Sequence, residues 1–153
     1  MSEPQKTDLV VGIDGSEPSR AALRWAVRHA QLVQGRVRAV AAWRQPSLTA
    51  APDGTAAIPV TSNEDLEAQA KHWIDDALAE LPEDAVDHVV ASVEEGDAGS
   101  VLLDLGSDAE LLVLGNKARG AIVGAIAGSV ALHCVHHARR PVVLVPADDL
   151  PRP

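Results

Sequence analysis

The chain has 153 residues, of which 46% are apolar, and its mean hydropathy of +0.02 suits a single compact domain. Thirteen Lys and Arg oppose 22 Asp and Glu, and the net charge of −9 disfavours binding to a nucleic-acid backbone or an anionic membrane surface. Aromatic residues form only 2% of the chain, with three Trp and no Tyr or Phe, which excludes a base-stacking surface for RNA.

The first predicted elements are a strand, a helix and a second strand. The uninterrupted apolar run at 9–13 is typical of a strand covered on both faces, and the second strand is predicted at 37–43. Between them, apolar residues recur at helical spacing after Ser16 or Ser19. This helix is expected to end near Gly35.

The middle of the chain predicts a loop, a helix and an edge strand. Residues 46–61 contain several Pro among small residues and indicate a long, mobile loop. The pair Ser62 and Asp65 resembles a capping box, and the apolar stripe of the helix that follows extends to Leu81. The strand predicted at 86–93 carries polar residues, which favours a position at or near a sheet edge.

The last third of the chain predicts two more helices and two more strands. A short helix is expected at 99–106, and a continuous apolar run at 111–114 indicates the fourth strand. The last helix is expected to follow Gly128, with Ser129 at its N-cap, and to end before Pro141. The final apolar run at 142–145 completes a set of five strands.

Strands that alternate with helices predict an α/β fold, a doubly wound five-stranded parallel sheet with helices on both faces. We expect one domain over residues 7–146, with 1–6 and 147–153 as tails. The polar N-terminal residues lack the apolar segment of a signal peptide, and no apolar run approaches the roughly 20 residues that span a bilayer. These observations predict a cytoplasmic protein that does not cross a membrane.

Two predicted strand ends carry polar or glycine-rich sequence, and ligands of open α/β sheets bind at such carboxyl ends. Asp14 directly follows the first strand, and Gly115 opens a turn after the fourth strand that includes Lys117 and Arg119. The turn continues through Gly120, Gly124 and Gly128. Backbone N–H groups, the Ser129 hydroxyl, two cations and a helix N-terminus together predict a phosphate site.

Simpler interpretations of these residues stay open. The glycines are consistent with an ordinary turn before a helix, Ser129 with a plain cap, and Asp14 with a cap of the first helix. Two nucleotide-binding patterns are absent: no Gly-x-Gly-x-x-Gly follows the first strand, and no Lys and hydroxyl residue follow Gly120. A dinucleotide-binding fingerprint and a P-loop hydrolase are therefore excluded.

A cluster of possible metal ligands lies in the last predicted helix. Its members are His133, Cys134, His136 and His137. Their spacing does not direct four ligands at one centre, although His133 and His137 share a helix face. We expect surface histidines rather than a zinc site, and we expect Cys134, the only cysteine, to be a buried and unreactive thiol.

The ordered motifs of the chain resemble the universal stress protein family over residues 7–146. The segments that carry the resemblance are Val10 to Ser16, Gly96-Asp97, Leu111 to Lys117, Gly128 to Val130 and Arg140 to Val145. The ATP-binding branch of that family has Gly-x2-Gly-x9-Gly-Ser/Thr after the fourth strand. The corresponding residues here are Gly115, Ala118, Gly128 and Ser129, so Ala118 replaces a glycine.

The resemblance implies that the chain binds ATP, with Mg²⁺ on the phosphates, and acts in stress response or signalling. It assigns Gly12, Ile13 and Asp14 to the nucleoside and the Ala42 backbone to the adenine edge. Ribose and phosphates are assigned to Leu114, Gly115, Ala118, Gly128, Ser129 and Val130. Family members often pair their last strands antiparallel, which implies a homodimer through 142–145.

The sequence nominates no general base for attack on a γ-phosphate, so at most slow ATP hydrolysis is expected. Two alternatives stay open. One is an interaction module of the same fold that binds no nucleotide, suggested by Ala118. The other is an enzyme that acts on a different phosphorylated metabolite, with residues 46–61 as its lid.

Overall fold

A computed structural model of the chain describes residues 8–46, 61–117 and 128–147. The elements in chain order are β1 Asp8–Gly12, α1 Glu17–Val33, β2 Arg36–Trp43, α2 Asn63–Ala79, α3 Glu83–Val86, β3 Val89–Glu95, α4 Ala98–Gly106, β4 Leu111–Asn116, α5 Ser129–His137 and β5 Val142–Pro146. All neighbouring strands are parallel, in the order β3-β2-β1-β4-β5. The predicted five-stranded α/β fold is therefore confirmed.

Helices cover both faces of the sheet, and alternate residues of each strand face opposite layers. Leu9 and Val11 of β1 pack in one apolar cluster with α1 and α2, whereas Val10 packs in the other with α4 and α5. Because both faces are buried, β1 and β4 carry continuous apolar runs instead of alternating ones. α1 lies close to the sheet because its buried face is made largely of alanine, including Ala22 and Ala26, both fully buried.

Side-chain caps fix where three of the helices begin. The Ser16 hydroxyl accepts a hydrogen bond from the Ser19 N–H, so Ser16 rather than Ser19 caps α1. Ser62 caps α2 by accepting from the Asp65 N–H, as its sequence predicts. Asp97 caps α4 in the same way. α1 ends at Val33, with Gln34 as its C-cap, which confirms the predicted end near Gly35.

Two predicted boundaries in the second third of the chain are wrong. The strand expected at 86–93 is β3, Val89–Glu95, because Val86 instead closes the short helix α3. Acidic residues in the first turn of α3, next to the N-terminal end of its dipole, favour this helical turn. Leu81 lies outside α2 because it precedes Pro82, and helical backbone is disfavoured for the residue before a proline. β3 does occupy a sheet edge, as predicted.

The start of the last helix also differs from the prediction. Gly128 is the N-cap of α5 and Ser129 is its first helical residue, so the expected N-cap role of Ser129 is wrong. Gly128 has φ 102°, a backbone conformation that residues with a Cβ rarely adopt. This geometry explains why the cap position is a glycine.

Several predicted segments lie outside the described residues. They are most of the loop expected at 46–61, most of the two tails, and the turn residues Ala118, Arg119, Gly120 and Gly124. Within the part of the chain that the structure describes, no helix has the length and apolar character needed to cross a bilayer.

Candidate functional site

A cleft opens at the carboxyl ends of β1 and β4, the neighbouring strands at which the chain's winding reverses direction. Open α/β sheets bind ligands at this position. The cleft is lined by Gly12, Ile13, Asp14, Ser16, Ser19, Val40, Ala42, Ala98, Leu102, Leu114, Gly115, Lys117, Gly128, Ser129, Val130 and Ala131. Its volume is about 110 Å³. Ligand sites commonly measure roughly 300–1,000 Å³, so a nucleotide-sized ligand would fill this space and extend through its opening.

The cleft changes from apolar at its base to polar at its rim. Val40, Leu102 and Leu114 are each at most 4% exposed and provide aliphatic walls. Asp14 and Lys117 are exposed and lie across the opening from each other. This arrangement suits an amphipathic ligand with one apolar ring and one charged end.

Gly115 positions the first turn of α1 against the end of β4. A Cβ on Gly115 would lie 2.5 Å from the carbonyl carbon of Pro18 and 2.7 Å from its Cβ. Contacts this short with backbone do not occur in folded proteins, so glycine is required for α1 to approach β4 this closely. The approach brings the turn after β1 and the end of β4 to the same side of the cleft.

Asp14 lies in the turn between β1 and α1, where its carboxylate accepts three polar contacts. Oδ1 accepts hydrogen bonds from the Ser16 N–H at 3.0 Å and the Ser16 hydroxyl at 2.5 Å. Oδ2 lies 2.5 Å from Nζ of Lys117. Burial raises the pKa of Asp14, but the hydrogen bonds from Lys117 and Ser16 and the charge of Lys117 outweigh it, so the pKa lies below its ordinary value. Asp14 is therefore ionised at neutral pH.

Asp14 does not cap α1 directly, which answers the alternative left open by the sequence. The cap is Ser16, and Asp14 instead orients the Ser16 hydroxyl and main-chain N–H. The Asp14 N–H in turn donates to Ser19 Oγ at 3.4 Å. Asp14 thus holds the turn in shape while its second carboxylate oxygen faces Lys117.

α5 directs its N-terminus at the same cleft. Its N-cap, Gly128, and its first residues, Ser129 and Val130, line the opening. Among the described residues, no side chain caps this helix. The positive end of the helix dipole and its N–H groups make this end of the cleft favourable for an anion.

The structure brings together nine of the ten residues that the sequence assigns to the site. Those nine are Gly12, Ile13, Asp14, Ala42, Leu114, Gly115, Gly128, Ser129 and Val130. The tenth, Ala118, lies outside the described residues. Lining residues that the sequence did not suggest are Ser16, Ser19, Val40, Ala98, Leu102 and Ala131. Strand parity would have found Val40, because it shares a face of β2 with Ala42.

The cysteine and histidines of α5 form no evident reactive centre. Cys134 is fully buried, as expected, and burial, reinforced by the charge of Asp97, raises the pKa of its thiol to about 11. The thiol is therefore protonated at neutral pH and a poor nucleophile. The rings of His133 and His137 pack with centroids 4.4 Å apart. Within residues 8–46, 61–117 and 128–147, no three metal-ligating side chains converge.

Comparison with known proteins identifies the relatives of this chain. A model of the universal stress protein family matches residues 7–146. Universal stress protein Rv1996 of Mycobacterium tuberculosis is 31% identical over 165 residues, a match that covers 97% of this chain and 51% of that protein. The chain thus spans about half the length of the curated relatives it matches.

Solved structures of the same fold include two nucleotide complexes. A universal stress protein in complex with cAMP superposes with a TM-score of 0.62 at 23% identity, covering 94% of this chain and 98% of that one. The universal stress protein from Archaeoglobus fulgidus in complex with dAMP gives a TM-score of 0.65 at 20% identity, covering 91% and 97%. At these identities the similarity establishes the shared fold.

Proposed function

This chain belongs to the universal stress protein family, and on that premise we propose that it binds ATP in the cleft between β1 and β4 and acts in cytoplasmic stress response or signalling. The observation that carries the proposal is the graded cleft, with aliphatic walls at its base and an α5 N-terminus at its rim. The cAMP and dAMP complexes of structural neighbours support an adenine nucleotide as the ligand.

In this proposal the nucleoside lies at the base of the cleft and the phosphates lie at its rim. Gly12, Ile13 and Asp14 contact the nucleoside, and the backbone of Ala42 contacts the adenine edge. The phosphates lie against Gly128 and the first turn of α5, where helix N–H groups and the Ser129 hydroxyl donate hydrogen bonds. Apolar walls favour the base, and the helix dipole favours the negative charge.

The donor set of the rim is compatible with Mg²⁺ carried by the phosphates. Mg²⁺ in nucleotide sites usually keeps several waters and takes one or two carboxylates besides phosphate oxygens. Asp14, the only carboxylate among the described lining residues, is assigned to the nucleoside, so phosphate oxygens and water would hold the ion. Because this carboxylate is assigned to the nucleoside, no other described lining carboxylate is left as a general base, and we propose at most slow hydrolysis.

Calorimetric titration of Mg²⁺ and ATP into three proteins tests the proposal. The unmodified protein should bind measurably, and Ala118→Gly should bind about tenfold to thirtyfold more tightly if Ala118 strains the turn. Gly128→Val should abolish binding, because a branched side chain at φ 102° strains the cap and enters the phosphate path. Circular dichroism of each variant controls for folding.

The absence of ATP binding, or the release of a different ligand, would favour one of the two alternative functions. If the unmodified protein gives no heat at millimolar ATP and Ala118→Gly does not restore it, the interaction-module alternative replaces nucleotide binding. If mass spectrometry of ligand released from purified protein instead identifies another phosphorylated metabolite, the enzyme alternative replaces it. The three functions are thereby separated.

We also propose a homodimer through β5. This strand lies at a sheet edge, and its residues Val142, Val143 and Leu144 are only partly buried. An apolar edge strand with unpaired backbone groups favours pairing with a second copy. Light scattering should give twice the 16.0 kDa chain mass, and Val143→Pro should return the mass to that of one chain. A monomer at tens of micromolar before mutation would contradict the proposal.

A further inference from the structure

The two charged side chains that line the described part of the cleft neutralise each other. Lys117 is the only cation and Asp14 the only anion among those lining residues, and Nζ lies 2.5 Å from Oδ2. The pair links the ends of β4 and β1 across the opening. A phosphate that enters the cleft therefore meets a lysine whose charge is already engaged.

The pair is accessible to solvent, which makes it easy to exchange. The side chain of Lys117 is 49% exposed and that of Asp14 is 43% exposed. Exposed ion pairs contribute little net stability, since water competes for both partners and ordering a lysine costs entropy. Asp14 would also keep its two hydrogen bonds from Ser16 if Lys117 left. The lysine can therefore change partners without loss of the turn.

Lys117 also lies beside the start of α5. The position that a Cβ on Gly128 would take is 3.7 Å from Cδ of Lys117, so the aliphatic stem of the lysine passes along the N-cap. An ammonium group has three donors on a flexible stem. This position places the flexible end of the side chain near both Asp14 and the N-terminus of α5.

We propose that Lys117 exchanges partners on ligand binding, leaving Asp14 for the phosphates of the nucleotide, and that this exchange makes the site selective for phosphorylated over unphosphorylated nucleosides. The inference rests on the nucleotide binding proposed above. Asp14, once released, is free to accept hydrogen bonds from the ribose hydroxyls. A neutral nucleoside has nothing to offer Lys117, so it must compete with the existing ion pair for Asp14.

The test compares ATP with adenosine in the unmodified protein and in Lys117→Gln, by calorimetry at low and high NaCl. Loss of one charge-assisted contact should weaken ATP binding by about tenfold. Adenosine should bind unchanged or more tightly, because Asp14 is no longer occupied. ATP affinity should fall less steeply with salt in the variant than in the unmodified protein.

Further variants separate charge from structure. Lys117→Arg should retain the preference for ATP, since it keeps the cation. Lys71→Gln, which removes an exposed lysine of α2 outside the cleft, is the matched control. It should change the affinity for neither ATP nor adenosine.

Three results would overturn the inference. If Lys117→Gln weakens the binding of ATP and of adenosine by the same factor, Lys117 only shapes the cleft. If neither affinity nor the salt dependence changes, Lys117 is a solvated side chain; in both cases nucleotide binding itself survives. If the unmodified protein binds neither ligand at millimolar concentration, the proposed function fails and the inference fails with it.

Discussion

The helices α1 and α5 both begin at the cleft, but their first turns are built in opposite ways. At α1, Ser16 Oγ accepts from the Ser19 N–H at 3.3 Å, and Ser19 Oγ donates to the Ser16 carbonyl at 2.8 Å. Asp14 holds Ser16 from the other side, and Pro18 has no N–H to satisfy. At α5, the cap is a glycine and, among the described residues, no side chain replaces the missing cap.

The difference separates a structural helix start from one suited to a ligand. The first turn of α1 satisfies its polar groups internally, so its contribution is to the stability of the fold. The first turn of α5 depends on partners from outside the helix, and it lies at the polar rim of the cleft. Mutations at α1 should therefore alter stability, and mutations at α5 should alter binding.

The largest effect is expected where α1 contacts the sheet. Gly115→Ala places a methyl group 2.5 Å from the Pro18 carbonyl carbon, which forces the first turn of α1 away from β4. Overpacking against backbone should lower the free energy of unfolding by about 3 kcal/mol, measured by urea denaturation. Gly106→Ala is the matched control, because its Cβ would lie 3.7 Å from Leu112, an ordinary contact. Equal stability of the two variants would contradict the packing argument.

A smaller effect should distinguish the two helix starts directly. Ser16→Ala removes the cap of α1 and should lower the free energy of unfolding by about 1 kcal/mol. Ser129→Ala removes a hydroxyl that caps nothing, so stability should change by less than about 0.5 kcal/mol. ATP affinity should instead fall about fivefold to tenfold. If Ser129→Ala costs as much stability as Ser16→Ala, the contrast between the helices is wrong.

The smallest effect concerns the acid dependence of stability. The folded-state pKa of Asp14 is below its ordinary value, so this carboxylate stabilises the fold above about pH 4 and loses that contribution as pH falls through the lowered pKa. Because the side chain is 43% exposed, the effect should stay under about 1 kcal/mol.

Urea denaturation of Asp14→Asn measures this contribution. The variant should be less stable than the unmodified protein at pH 6, and the difference should shrink as pH falls below about 4. Asp75→Asn, at an exposed carboxylate of α2, provides the control. A difference that stays constant down to pH 3 would mean that ionisation of Asp14 does not stabilise the turn.

The sequence predicts the fold well because the fold depends on local patterns. Continuous apolar runs identify β1, β4 and β5, and Ser62 identifies the start of α2. The errors fall where local signals compete. Apolar Val86 favours a strand, yet the acidic residues that follow Pro82 favour a helical turn that includes Val86. The strand therefore begins only at Val89.

The candidate site is predictable only in part. Its strand-end residues follow from topology, because the carboxyl ends of parallel strands meet at one edge. The pairing of Asp14 with Lys117 is not predictable, since it depends on side-chain positions just after two strands that are far apart in sequence. Similarly, serine is a residue type that favours the N-cap position, which suggested Ser129. The backbone conformation of Gly128 instead places the N-cap one residue earlier.

The contact between α2 and the turn after β1 places an intrinsic fluorophore, Trp73, against that turn. Cδ1 and Nε1 of Trp73 are the atoms nearest the place where a side chain on Gly15 would begin, at 2.6 Å. The indole thus covers the residue next to Asp14, whereas Trp25 is stacked on His29 elsewhere on α1. A rearrangement of this turn would change the surroundings of Trp73, so we expect its emission to respond when the turn moves, without an added label.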